Sequence, residues 1–358
     1  MNTGGSWLGG AATRLAMLGK ACLIVSASIA AGAAPTTAAD SFYKDKTIRI
    51  LTSESGSGYD TAARMVSRHL PAHIDGGTSV IVQSMPGATV KVPLYLTEVV
   101  ARDSTVIAVL NNAIAFAPLL NVPQANFDPT KFNWLGSPST ELGLALVWHT
   151  VPVYSIDDAT KREVIMGVGG GGSSATFYGR LLNAILGTKF KLLPGYSGMA
   201  GAFLAMERGE TEGFPSTLWN SLKATKPEWI ADKKVRFLVQ YGGAPSPELP
   251  DVPFARDLAK SEEDRMVLDA AIAPMKMGRP FAMAPLVPAE HVALMRASMM
   301  ATFTAPAFVE DAKKQRFDVD ARPKSGEELM AIVASVYNAP EQVRNRLAAL
   351  HKQDDRKR

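Results

Sequence analysis

Residues 47–70, TIRILTSESGSGYDTAARMVSRHL, constrain the fold more than any other stretch of this chain. The apolar run Ile48, Ile50, Leu51 predicts a strand, and the small residues from Ser53 to Asp60 predict a loop. Ala62, Ala63, Val66 and Leu70 then keep one face of a helix apolar. A strand that runs through such a loop into a helix leaves N–H groups unpaired at the helix N-terminus. The macrodipole adds partial positive charge there, so the place suits an anion. Residues 163–186, EVIMGVGGGGSSATFYGRLLNAIL, repeat the construction, with Ser173 seven residues before Arg180 as Ser57 is before Arg64. Two such units suggest two lobes facing a shared ligand, although any α/β protein contains several strand-to-helix turns.

Residues 1–39 are read apart from the fold. Arg14 and Lys20 are their only charges, residues 21–34 are apolar and small, and Thr37-Ala38-Ala39 is a small-residue cleavage site. This is the pattern of a secretory signal peptide, with an apolar run shorter than the roughly 20 residues of a membrane span. The single cysteine, Cys22, lies within it, so residues 40–358 carry no disulfide and no thiol nucleophile. At about 150 residues per domain, that remainder favours two domains. The formal net charge of +4 includes Arg14 and Lys20, and no basic stripe with interleaved aromatics follows, which argues against nucleic acid. An exported, soluble, cysteine-free chain is first a candidate solute receptor and second an exported enzyme.

Apolar runs at 78–82 and 106–110 predict further strands, each followed by a turn signal (Pro86-Gly87, Asn111-Asn112) and a helical stretch. Alternation of this kind argues for a mostly parallel sheet flanked by helices, with ligands beyond the carboxyl ends of the strands. Strands are also expected at 133–137, 142–148, 163–168, 190–193 and 235–239. Helices are expected at 199–208, 262–271, 325–338 and 340–352, with another starting at Pro288.

Several chemistries fall away. Gly167-Val168-Gly169-Gly170-Gly171-Gly172 fits G-x-G-x-x-G, but no acidic residue occurs from Val164 to Met206 to take a ribose hydroxyl. Ser173-Ser174 stands where a phosphate-binding loop needs Lys-Ser/Thr, and Gly195-Tyr196-Ser197-Gly198-Met199 misses the nucleophile elbow at its last position. His69 and His73 are separated by the helix breaker Pro71, which argues against a metal site. No catalytic residue, metal or cofactor is expected. What survives is anion binding by loops. Gly170, Gly171 and Gly172 admit close backbone approach, and Ser173 and Ser174 either donate to a carboxylate, at about 1.5–3 kcal/mol per charge-assisted bond, or simply cap the helix.

Four stretches resemble the substrate-binding receptors of tripartite tricarboxylate transporters, the TctC/Bug family, over nearly the whole of residues 40–358. They are Phe42–Ile50 with Gly58-Tyr59-Asp60-Thr61-Ala62-Ala63-Arg64, the run at 80–88 ending Met85-Pro86-Gly87-Ala88, Gly195-Tyr196-Ser197-Gly198 with residues 205–213, and Gly278-Arg279-Pro280-Phe281 with Pro285 and Pro288. The resemblance implies a two-lobed periplasmic-binding fold (type II) that closes on a small organic acid and delivers it, as a monomer, to a permease of two integral-membrane subunits. It points to Ser55, Gly56, Ser57, Tyr59, Pro86, Gly87, Ala88, Gly171, Gly172, Ser173 and Ser174 as carboxylate contacts. Tyr196, Phe214 and Pro215 are implied near the distal end of the ligand. The family usually has proline at position 55, glycine at 57 and Gly-Gly where Thr89-Val90 stands, so the pocket here departs from its relatives. The expected division is signal peptide 1–39, first lobe 40–138, second lobe 139–272 and a return to the first lobe at 273–358. Hinges are expected near 136–142 and 273–279. An exported α/β enzyme, or a ligand-loaded sensor of a membrane kinase, is the alternative.

Overall fold

The computed structural model describes residues 42–52, 57–85, 90–120, 122–170 and 173–352. The expected signal peptide, Ser55, Gly56, Pro86, Gly87, Ala88, Gly171 and Gly172 lie outside the described residues. In chain order, β1 (Thr47–Thr52) feeds α1 (Gly58–His69), and β2 (Ser79–Ser84) feeds α2 (Lys91–Glu98). After β3 (Val106–Val109) come a 3-10 turn (Asn112–Phe116) and β4 (Asn133–Ser137). The middle of the chain holds β5 (Leu142–Trp148), α3 (Ile156–Lys161), β6 (Val164–Gly167), α4 (Ser174–Leu186), β7 (Phe190–Leu193), α5 (Gly198–Glu207) and β8 (Gly213–Leu218). It continues through α6 (Trp219–Thr225), α7 (Pro227–Ala231), β9 (Val235–Gly242), α8 (Ala255–Leu258), α9 (Glu262–Ala271) and α10 (Ala273–Met277). Last come β10 (Phe281–Met283), α11 (Ala289–Thr304), α12 (Pro306–Lys314), β11 (Lys324–Ser325), α13 (Gly326–Tyr337) and α14 (Glu341–Lys352).

Two sheets result, ordered β11-β4-β10-β3-β1-β2 and β7-β6-β8-β5-β9. Ile48, Ile50 and Leu51 of β1, and all four residues of β3, are buried, as expected of strands covered on both faces. The sequence reading makes both sheets mostly parallel; both are mixed. β1, β2 and β3 run parallel, but β10 enters antiparallel between β3 and β4, and β5 is antiparallel to both β8 and β9. The reversal follows from the crossings: a strand arriving from the other sheet enters at the opposite end.

β8 was not expected as a strand, and Pro215 sits in it. It pairs with β5 through Phe214 opposite Leu146 and Thr217 opposite Leu144, with a register shift between them. Pro215 falls in that irregular stretch, where its missing N–H costs no registered pair. The chain crosses between sheets from β4 to β5 and from α10 back to β10. It crosses a third time after α13. Val343 and Leu347 of α14 bury in the core of the second sheet, and Arg346 binds Glu263 (2.7 Å) and Asp264 (2.9 Å) of α9. The expected division put all of 273–358 with the first lobe; α14 packs on the second. Its apolar spacing marks a helix but not the surface that helix covers.

Among the described residues no single helix is long and apolar enough to cross a membrane. The bent pair α11–α12 passes on length and composition, yet Val292, Met295, Met299 and Phe303 of α11 are core residues.

Candidate functional site

The strand directions bring the chemistry to one place. At the carboxyl edge of the first sheet, Ser57 caps α1 by accepting from the Asp60 N–H (3.2 Å). At the end of β3, Asn111 Oδ1 caps the following turn at Ala113 N, and the Asn112 N–H donates to Tyr59 Oη (3.2 Å). The N–H of Leu110 donates to Pro280 O (2.9 Å), so Arg279, just before β10, stands at this same edge.

The second sheet presents the matching edge. Beyond β6, Ser173 caps α4 by accepting from Thr176 N–H (3.2 Å), and its hydroxyl lies 2.9 Å from that of Thr176. Tyr196 folds over the same loop: a Cβ on Gly167 would lie 3.3 Å from the Tyr196 ring, and one on Gly169 would lie 3.2 Å from Ser173. β5 is antiparallel to β8 and begins opposite its end, Gly143 against Leu218, so Glu141 enters at this edge too.

Glu141 and Arg279 meet where the edges meet. Arg279 Nη1 is 2.5 Å from Glu141 Oε1 and 3.3 Å from Ser139 Oγ, while its backbone N–H donates to Ser137 Oγ (3.0 Å). The Glu141 side chain is 4% exposed and that of Arg279 15%. Burial pushes the Glu141 carboxyl above its ordinary range, opposed by the Arg279 guanidinium. The guanidinium lies 6.0 Å from the Tyr59 ring centre and 4.8 Å from that of Phe317. Burial also pushes the Tyr59 hydroxyl up to about 12, so it is neutral and keeps a proton to donate.

The expected site residues thus divide. Ser57 and Tyr59 lie on the first turn of α1, and Ser173, Ser174 and Tyr196 gather around the loop after β6, with Ser174 exposed. Phe214 is a core side chain, 4% exposed and edge-on to Phe203. Pro215 packs beneath α4, 3.3 Å from where a Cβ on Gly179 would be, and its carbonyl accepts from the Tyr241 hydroxyl (3.0 Å). These two residues serve the packing of the second sheet. His69 Nε2 lies 2.9 Å from the Asp311 carboxylate, and among the described residues no cluster of three or more His, Cys, Asp or Glu could hold a metal. Sequence reasoning passed over Glu141 and Arg279. Glu141 is the one charge in the expected crossing 136–142, but 273–279 carries both Lys276 and Arg279, so the sequence singles out no partner for it.

No family model and no curated protein matches the sequence. Solved structures do match the fold. A TctC solute-binding protein from Polaromonas, with no ligand, has a TM-score of 0.66 at 16% identity, over 87% of this chain and 99% of that one. MatC from Rhodopseudomonas palustris with bound malate has 0.57 at 17% identity, over 86% and 99%. A second R. palustris protein, with adipate, has 0.55 at 19% identity, over 85% and 98%. At these identities the likeness shows the fold, an α/β periplasmic-binding-protein fold of two lobes.

Proposed function

We propose that the protein is a periplasmic solute receptor of the TctC/Bug type. It binds a small carboxylate-bearing organic acid between two lobes and hands it to a tripartite tricarboxylate-type permease of two membrane subunits. The observation that carries this reading is that two serine-capped helices, α1 and α4, start at carboxyl edges of two sheets that touch through Glu141 and Arg279. Helix N-termini offer oriented N–H groups and positive potential to a carboxylate. Neighbours of this fold holding malate and adipate support the same ligand class. The crossings at 136–142 and 273–279 serve as the hinge, and binding needs no bond-making chemistry.

Calorimetric titration of residues 40–358 with a panel of mono-, di- and tricarboxylates tests the reading. One member is expected to bind in the micromolar range or tighter. A folded protein that binds none of them ends it. Delivery is tested separately, by uptake of the bound acid into cells that express the receptor with and without the membrane subunits.

A further inference from the structure

We propose that Arg279 is the anion-pairing residue of this cleft, its Nε–Nη2 edge receiving one carboxylate of the ligand side-on. The inference rests on the receptor reading and adds to it a ligand charge and an attachment point.

A guanidinium offers two parallel N–H donors along each edge, which match the oxygens of a carboxylate. In Arg279 the Nη1 corner is used, by Glu141 and Ser139. Nε is buried and has no hydrogen-bond partner among the described residues. The opposite edge faces Gly58: a Cβ there would lie 3.0 Å from Nη2 and 3.1 Å from Nε. Gly58 is the first residue of α1, and its backbone does not adopt the left-handed conformation that calls for glycine. Its lack of a side chain leaves that edge of the guanidinium facing backbone alone, with no side chain at position 58 to press on it. An orphaned buried donor is costly, and it calls for a partner from outside the side chains around it, a water, an ion or a ligand.

Glu141 does not make the place repel an acid. It neutralises Arg279, and the approaching carboxylate also meets the first-turn N–H groups of α1 and the Tyr59 proton, which has no acceptor among the described residues. Glu141 thus holds the fork in place, as a positioning residue.

The experiment titrates wild type, Arg279→Met, Arg279→Lys and Gly58→Ala with succinate, malate, glutarate, adipate and citrate. The best binder is then compared with its monoamide. For the diacid, Arg279→Met is expected to weaken binding by at least about 30-fold, and Arg279→Lys by less, since the charge remains without the fork. Gly58→Ala is expected to weaken binding by at least about 10-fold while the melting temperature holds or rises, because alanine favours the helix. Wild type should prefer the diacid to the monoamide, and Arg279→Met should lose much of that preference. Binding by Arg279→Met within about twofold of wild type overturns the inference and leaves the receptor reading standing. Equal weakening for acid and amide also overturns it, since that marks a purely structural arginine. No acid bound by folded wild type overturns both.

Discussion

Gly278 packs against Ser139 where two of the crossings between the sheets run side by side: a Cβ on Gly278 would overlap the Ser139 carbonyl oxygen, and Gly278 has φ 59°. Strain and overlap act together, so Gly278→Ala should cost at least about 3 kcal/mol. Gly187 is the control. It also has a positive φ (75°), but nothing lies within 4 Å of its added Cβ, so alanine there should cost only about 1–2 kcal/mol. Urea unfolding of both variants checks the pair, and equal losses would show that the contact with Ser139 is unimportant.

Ser173 and Ser174 are adjacent but do different work. Ser173 caps α4, whereas Ser174 is the exposed first residue of that helix. Ser173→Ala should cost about 1 kcal/mol of stability, and Ser174→Ala close to nothing. If either hydroxyl also binds ligand, affinity falls beyond what the melting curves explain. Parallel thermal melts and titrations separate capping from binding. Loss of stability in Ser174→Ala alone would contradict the assignment.

The strand-loop-helix units were legible because their determinants are local: β-branched runs, small-residue loops, and serines at helix starts. Ser57 and Ser173 cap the helices the sequence predicted; α4 starts at the end of its expected loop, whereas α1 starts at Gly58, inside the loop expected to run to Asp60. β8 was hidden because Pro215 contradicts a strand until the register shift beside it is known. α12, which follows α11 after a bend of 59°, was also missed. The Glu141–Arg279 pair and the docking of α14 depend on which surfaces meet, and no local pattern carries that. Neither partner of a long-range ion pair advertises the other.

The docking of α14 makes a direct energetic claim. Leu347 is 3% exposed in the core of the second sheet. A leucine there, truncated to alanine, loses its transfer free energy and leaves a cavity, for about 2–5 kcal/mol. Arg346→Ala, on the partly exposed face of the same helix, should cost roughly 1 kcal/mol. Denaturant unfolding checks both. Were α14 a loose appendage, Leu347→Ala would unfold at the wild-type midpoint.

The Glu141–Arg279 pair should write its burial into the pH dependence of stability. Burial raises the Glu141 carboxyl from 4.5, with Arg279 opposing, so the folded state holds this proton more tightly than the unfolded chain does. A folded-state value above the unfolded one means that stability falls as pH rises from about 4.5 through the raised value. Asp320 is shifted in the same direction by burial, so the wild-type slope alone cannot isolate Glu141. Glu141→Gln can. Its side chain has no proton to lose, so its stability relative to wild type should grow as pH rises through that window and then level off. Urea unfolding of both proteins from about pH 4 to 8 gives the difference curve. A flat curve would mean that Arg279 fully offsets the desolvation of its partner, and that this buried pair is electrostatically neutral to folding.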